Sequence, residues 1–390
     1  KMMVDKMEVY FDNAATTKII PEVREIMLET FDEEYGNPSS LHLKGVGAEK
    51  YIRYARDVIS KQLKCEPKEL IFTSGGTESN NLALIGIASA NRRSGNHIIT
   101  TRVEHASVYN PILYLEEQGF RISFLDVDKN GIVDLQQLKE TLCEDTILVS
   151  VMAVNNEIGA IEPIEDVAKQ IQLYNREHKK NIQFHVDAIQ AFGKQILYPK
   201  RIGIDAMSVS GHKIHGPKGS GVLFVNSNTK IKPIIYGGGQ EKGLRSGTEN
   251  TAAIAGLGKA TEVIYGRLDA NRDQMFKIKD ALINGATQIE GVTNNSGEAP
   301  HIASLSFCDI RSEVLLHALE EKGIYVSAGS ACSSNHPAIS GVLKAIGLDN
   351  HLLDSTLRFS FCEFNTLEEV DYTIRVLKEL VPRLRKFTRH

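Results

Sequence analysis

The chain has 390 residues, 42% hydrophobic and 24% charged, with a net charge of -4. That length supplies core for a large domain with a smaller companion, and the slight negative charge gives no general attraction to nucleic acid or a membrane surface. Five cysteines (Cys65, Cys143, Cys308, Cys332, Cys362) without CxxC spacing speak against a disulfide framework or a zinc site, and no apolar run is long enough to span a bilayer, so the expectation is a cytoplasmic α/β protein.

Taken in order, Val9-Tyr10-Phe11 is a short strand entering the turn Asp12-Asn13-Ala14-Ala15-Thr16-Thr17. Apolar periodicity predicts helices over 21–31 and 45–64, separated by the turn-rich loop Tyr35-Gly36-Asn37-Pro38-Ser39-Ser40. A strand at 70–73 runs into Ser74-Gly75-Gly76-Thr77, and a helical pattern follows over 82–90. Bare backbone N–H groups and a hydroxyl at a helix N-terminus suit a phosphate. The stretch fits neither a Walker loop nor GxGxxG, which disfavours a nucleotide. Strands are expected at 97–101 and 124–127, with His105 at the start of the helix between them. A lone histidine is more often structural than catalytic. Asp126-Val127-Asp128-Lys129-Asn130-Gly131 imitates a calcium loop, but its twelfth position is Gln137, so calcium is rejected.

The continuous apolar run 148–154 reads as a strand buried on both faces and ends in Asn155-Asn156-Glu157. A helix over 164–177 leads to the strand-like run Ile182–Gln190, which carries one acid, Asp187. The next run, 206–209, delivers Ser210, His212 and Lys213 to one glycine-rich turn before another strand at 222–225. Alone, Lys213 reads equally as a solvated turn lysine. A strand-end lysine paired with a strand-end aspartate describes a pyridoxal phosphate site: the amine forms a Schiff base with the aldehyde, and the carboxylate keeps the pyridine nitrogen protonated.

The glycine-rich stretch Tyr236–Asn250 precedes a long helix from 251, and a composition change at 269–279 suggests a helical linker into a second domain. There the pattern predicts strands at 302–307, 324–326 and 357–361, a helix at 313–322 and a final helix. Cys332 stands among small residues in Ser327–Pro337 with no apolar neighbour to bury it, a setting for a reactive thiol; the other four cysteines read as structural. Arg358 interrupts an apolar strand, either to hold a substrate carboxylate or as an ion-paired edge-strand residue.

Ten stretches (YFDNAATT, YGNPSS, FTSGGTESNN, VEHAS, VNNEIG, HVDAIQ, SGHKIHGPKG, GGGQEKGLRSGTEN, SAGSACSS and LRFSF) run from Tyr10 to Phe361 in the order found in the NifS/IscS-type cysteine desulfurases. The chain resembles that class-V aminotransferase-like branch of the fold type I enzymes that use pyridoxal 5'-phosphate. The resemblance implies a large domain at 16–262, with a mostly parallel sheet between helices, and a smaller α+β domain formed by 1–15 and 263–390. It implies Lys213 as the Schiff-base lysine, Asp187 at the pyridinium nitrogen, Gln190 at the phenolic oxygen, and His105 stacked on the ring as proton carrier. Gly76, Thr77, Ser210 and His212 would hold the phosphate. Asn156 would lie beside the cofactor and the substrate carboxylate, with Arg358 and Asn37 binding that carboxylate.

It further implies a homodimer in which Thr248 reaches the partner's cofactor. L-cysteine would be the substrate, and Cys332 the nucleophile whose persulfide passes to an iron–sulfur scaffold or tRNA-thiolation protein. Gly76 departs from the alanine that many relatives have, and Ala328 from a common serine. Competing readings are a selenocysteine lyase or cysteine-sulfinate desulfinase, and a catalytically weak sulfur-carrier or scaffold protein.

Overall fold

The computed structural model describes residues 7–328 and 340–386. Its centre is a seven-stranded sheet in the order Leu70–Thr73, Gly221–Val225, Ala206–Ser210, Gln183–Asp187, Thr146–Met152, His97–Thr101, Arg121–Leu125. From Ala206–Ser210 to Arg121–Leu125 every pairing is parallel, whereas Gly221–Val225 is antiparallel to both its neighbours. Six of the seven strands are buried at every residue, as expected when helices cover both faces.

Alternation along the strands sorts side chains between two cores. Phe72, Val149 and Phe224 face a core built with helices Leu43–Leu63, Ile164–His178 and Thr251–Gly266. Ile71, Leu148 and Leu223 face the opposite core, with helices Gly76–Asn91 and Ala106–Glu117. Parallel strands bring their carboxyl ends, including Met152 and Asp187, to one edge, the usual ligand side of an open α/β sheet.

A separate core surrounds a four-stranded antiparallel sheet in the order Ser327–Ala328, Thr356–Ser360, Ile302–Phe307, Val292–Asn294. Helices Leu268–Ala286, Ser312–Glu320 and Leu367–Arg385 contribute Ile278, Leu315 and Leu377 to it. The N-terminal residues Val9 and Phe11 are fully buried in this same core. Val9–Tyr10 pairs in parallel with Ile324–Tyr325, and Phe11 stands edge-on to Phe361 at 5.2 Å between ring centres.

Three sequence expectations need correction. Helix Gly76–Asn91 begins six residues before the predicted start, because Gly-Thr-Glu-Ser-Asn-Asn has poor intrinsic helix propensity and is held by tertiary contacts instead. Ser79 bonds Thr73 and Asn80 bonds Asp187. The expected linker at 269–279 lies within helix Leu268–Ala286, whose Ile278 and Leu282 are fully buried in the second core. Arg358 is on an interior strand rather than an edge, since Thr356–Ser360 pairs on both sides.

Phe11→Ala should lower stability by about 3–5 kcal/mol, because it empties a large aromatic volume from a closed core. Urea unfolding monitored by circular dichroism checks this, and a change below ~1 kcal/mol would contradict the packing described.

Candidate active site

A cavity of about 440 Å³ opens at the carboxyl edge of the large sheet. Its walls hold Gly76, Thr77, His105, Asn156, Asp187, Gln190, Ser210, His212, Lys213 and Arg358. The structure therefore brings together ten of the thirteen residues singled out in the sequence. Asn37 and Thr248 are exposed and do not line this cavity within one chain. The Asn37 side chain accepts from the Ser39 N–H instead. Cys332 lies outside the described residues.

Lys213 sits in a single 3₁₀ turn directly after strand Ala206–Ser210, so its side chain starts from a fixed sheet edge. Its Nζ donates to the carbonyls of Ala14 (2.6 Å) and Ala15 (2.7 Å). Asp187 closes the neighbouring strand, and its carboxylate accepts from the Ile189 N–H and from Asn80 Nδ2, each at 3.0 Å. Burial holds the Asp187 carboxyl above its ordinary range, although these bonds and the charges of His105 and Lys213 pull it down.

His105 caps helix Ala106–Glu117, its Nδ1 accepting from the Ser107 N–H at 3.1 Å. Ser107 Oγ, 2.8 Å from the same nitrogen, accepts from Asn80 Nδ2 and so turns its proton toward the ring. Nδ1 is thus an acceptor, and the neutral imidazole carries its proton on Nε2. Burial lowers the His105 pKa and favours that neutral form.

The other end of the cavity suits a phosphate. Gly75, at φ 149°, precedes a sixteen-residue helix whose first residues, Gly76 and Thr77, line the cavity with unpaired N-terminal donors. A Cβ on Gly76 would come within 2.2 Å of Ile189 Cδ1, so an alanine fits here only if Ile189 moves. Ser210 completes this end with His212, whose Nδ1 lies 3.2 Å from Thr16 Oγ1. Burial and the neighbouring lysines push His212 down to about 4. A buried acid with raised proton affinity at one end, helix-terminal donors at the other and a lysine between them match the pyridine nitrogen, phosphate and aldehyde of pyridoxal phosphate.

Arg358 projects from the second sheet into the same cavity and is almost fully buried. Its Nη1 donates to Asn156 O (2.8 Å) and its Nη2 to Asp12 Oδ1 (3.0 Å), while Nε has no partner. Of the two sequence readings of this arginine, the ion pair is present, and the side chain also lines the cavity. Next to Asn156, burial pushes the Glu157 carboxyl up to about 7. Its Oε2 accepts from Ser340 Oγ.

Sequence reading missed Asp12, the Ala14 and Ala15 carbonyls, Asn80 and Ser107. The turn Asp12–Thr17 carried a signal, since small and polar residues between two apolar runs give backbone carbonyls access to a ligand site. Asn80 and Ser107 had none, because their roles arise only where two helices converge. Among the described residues, His215, Cys362 and Glu363 place possible metal-ligating atoms within 4.8 Å of one another. Burial opposes protonation of His215, but bonds to Cys362 and Glu363 push it up to about 10, making it the cationic partner of Glu363 at 3.3 Å.

Comparison with known proteins agrees with this geometry. The family described as "Aminotransferase class-V" matches residues 9–373. A protein named cysteine desulfurase IscS from Clostridium botulinum is 41% identical, covering 98% of this chain and 96% of its own length. Another so named, from Methanosarcina thermophila, is 42% identical, with 97% and 93% covered. A solved "NifS-like protein" superposes with a TM-score of 0.91 at 38% identity, covering 97% of this chain and all of its own. The structure described as "SspA in complex with cysteine" gives 0.80 at 34% identity, with 92% and 100% covered.

Because the fold raises the Glu157 pKa from 4.5 to about 7, the native state binds the extra proton and stability falls as pH rises through that window. Glu157→Gln removes the titration. Relative to the parent it should gain of order 1–3 kcal/mol between pH 5 and pH 8.5. Urea unfolding at both pH values checks this, and a pH-independent difference would contradict it.

Proposed function

This chain belongs to the class-V aminotransferase family, and on that premise we propose that it is a pyridoxal phosphate-dependent cysteine desulfurase. It converts L-cysteine to L-alanine and leaves the sulfur as a persulfide on Cys332. The observation that carries this reading is the convergence of Lys213, Asp187 and His105 in one cavity with Arg358 in its wall. Relatives bearing the desulfurase name, aligned over nearly the whole chain, support it.

When bound, pyridoxal phosphate supplies an electron sink for negative charge at the substrate α-carbon. Asp187 would hold the ring N–H, whose positive charge would stabilise the buried carboxylate in its ionised form. Gly76, Thr77, Ser210 and His212 would hold the phosphate, the neutral imidazole of His212 leaving hydrogen bonds rather than charge to do so. His105 would offer its Nε2 proton at the ring, and Gln190 would hold the phenolic oxygen.

Lys213 Nζ takes the α-proton, guided by the Ala14 and Ala15 carbonyls that fix its approach. Arg358 and Asn156 would bind the substrate carboxylate, and Asn37, which does not line the cavity within one chain, would have to approach it to take part. The Cys332 thiolate attacks the substrate sulfur, so that an S–S bond forms as the Cβ–S bond breaks and Cβ gains a proton.

In the same reading the chain is a cytoplasmic homodimer, Thr248 of each subunit completing the other's site. Exposure of Thr248 away from its own cavity supports this. Residues 16–262 form the cofactor domain, and 1–15 with 263–390 the small domain. The persulfide passes to an acceptor protein, an iron–sulfur scaffold or a tRNA-thiolation protein, without direct binding of nucleic acid or membrane. Among the described residues no helix is long and apolar enough to cross a membrane.

Alanine release from L-cysteine in the presence of a thiol reductant tests the proposal. Lys213→Ala and Cys332→Ala should each lose roughly 100-fold or more of the parent rate, the scale of a lost proton-transfer or nucleophilic group. Full activity in Cys332→Ala would remove the persulfide step, and a parent protein that binds no pyridoxal phosphate would remove the whole reading.

A further inference from the structure

Gln190 lies in the cavity wall with a side-chain amide whose two ends have opposite hydrogen-bonding character. One end lies 3.0 Å from Ala14 O, which can only accept, so that end must be the NH₂. Oε1 then faces His301, 3.1 Å from its Nε2. An oxygen cannot donate, so Nε2 of His301 must carry the proton. The tautomer follows from the acceptors around the amide alone.

His301 precedes strand Ile302–Phe307 of the second sheet and is almost completely buried. Burial, reinforced by Lys194, Lys279, Arg358 and Lys213, holds it well below its ordinary pKa and therefore neutral. With its one proton on Nε2, Nδ1 is left as a lone pair, and that atom has no partner. An imidazole placed only to fill space would be better replaced by an apolar residue, because a buried polar atom without a partner is destabilising. The ring instead spends its single N–H on Gln190.

The amide NH₂ carries two hydrogens, and Ala14 O takes one. The second stays with the NH₂ end of a side chain that lines the cavity. Lys213 Nζ donates to the same Ala14 carbonyl, so Lys213 and Gln190 are registered on one oxygen atom. Ala14 O holds the NH₂ end and the donor from His301 holds the Oε1 end, so without His301 only the Ala14 contact would oppose rotation of the amide by half a turn.

We propose that His301 is a positioning residue for the cofactor, locking Gln190 so that an amide N–H rather than a carbonyl oxygen is offered to the phenolic oxygen of pyridoxal phosphate. This rests on the cofactor reading given above and extends it to a residue on the opposite sheet. A donor at the phenolic oxygen favours its anionic form and lowers the proton affinity of the neighbouring Schiff-base nitrogen. Losing that orientation raises this affinity and weakens cofactor binding.

The test is the visible-absorption pH titration of bound pyridoxal phosphate, together with its dissociation constant from the apoprotein. His301→Leu should raise the spectroscopic pKa by about one unit and weaken binding about tenfold, the scale of one hydrogen bond to a charged group. His301→Gln, which can still donate, should stay near the parent value. In a Gln190→Leu background, His301→Leu should add no further spectral shift, whereas a merely structural effect would add in full.

Should His301→Leu not fold, the comparison of His301→Gln with His301→Met decides by the same titration. An unchanged spectroscopic pKa in the donor-less variant overturns the proposal while leaving the desulfurase reading intact. Absence of any cofactor spectrum in the parent protein overturns both.

Discussion

The site hangs on one backbone oxygen. Ala14 O accepts from Lys213 Nζ and from Gln190 Nε2, and so fixes two groups on different segments of the large sheet's ligand edge relative to each other. That oxygen is itself held from the second sheet, because the Ala14 N–H donates to Ser360 Oγ at 2.8 Å and Asn13 Nδ2 donates to Ser360 O. Thr17 fastens the other end of the turn to the backbone of His212 and His215. A six-residue turn with little side-chain bulk thus ties both sheets to one another at the cavity. Its alanines bring the main chain close enough for carbonyls to act as ligands.

Electrostatics around the cavity follows from the same edge. The strand-end groups are desolvated together, so burial drives His105, His185, His212 and His301 toward neutrality and Asp187 and Glu157 toward protonation, whereas His215 keeps its charge through Glu363. His185, one strand position below the cavity, is pushed down to about 3 by burial and lies between Ser150 Oγ (2.8 Å) and Ser208 Oγ (3.0 Å) on adjacent strands. It is a neutral cross-strand linker. The charged groups that line the cavity are few and specific: an aspartate at the end of one strand, a lysine at the end of the next, and an arginine that reaches in from the second sheet paired with Asp12. A ligand carrying both a cationic ring and two anionic groups can satisfy all three.

Much of this was legible in the chain because fully buried parallel strands leave uninterrupted apolar runs, and because strand-end residues fall at fixed positions relative to them. Lys213 and Asp187 could be placed on that basis. Helix Gly76–Asn91 was read too short because its first turn is chosen for donors and tertiary bonds rather than helix propensity. The strand expected at 324–326 stops at Tyr325 in the pairing with Val9–Tyr10, and Ser327–Ala328 then joins the four-stranded sheet, a switch that no local pattern encodes. His301 left no trace, since a histidine before a strand has no period and its value lies in meeting Gln190, 111 positions away. Arg358 showed itself as a charge in an apolar strand, but its ion pair with Asp12 spans 346 positions and is visible only in the fold.

The placement of the N-terminal strand within the second core has a consequence for synthesis on the ribosome. Asn13 and its partner Ser360 are separated by 347 residues. At elongation rates of about 5–20 residues per second, tens of seconds pass between the appearance of the two. Through that interval Val9 and Phe11 are apolar side chains without a core, and the turn that orients Lys213 has only its large-sheet half. The large sheet can assemble as its strands emerge, yet the cavity acquires its final shape only when the last strand of the chain arrives. A nascent protein therefore passes through a stage in which the scaffold exists and the catalytic arrangement does not.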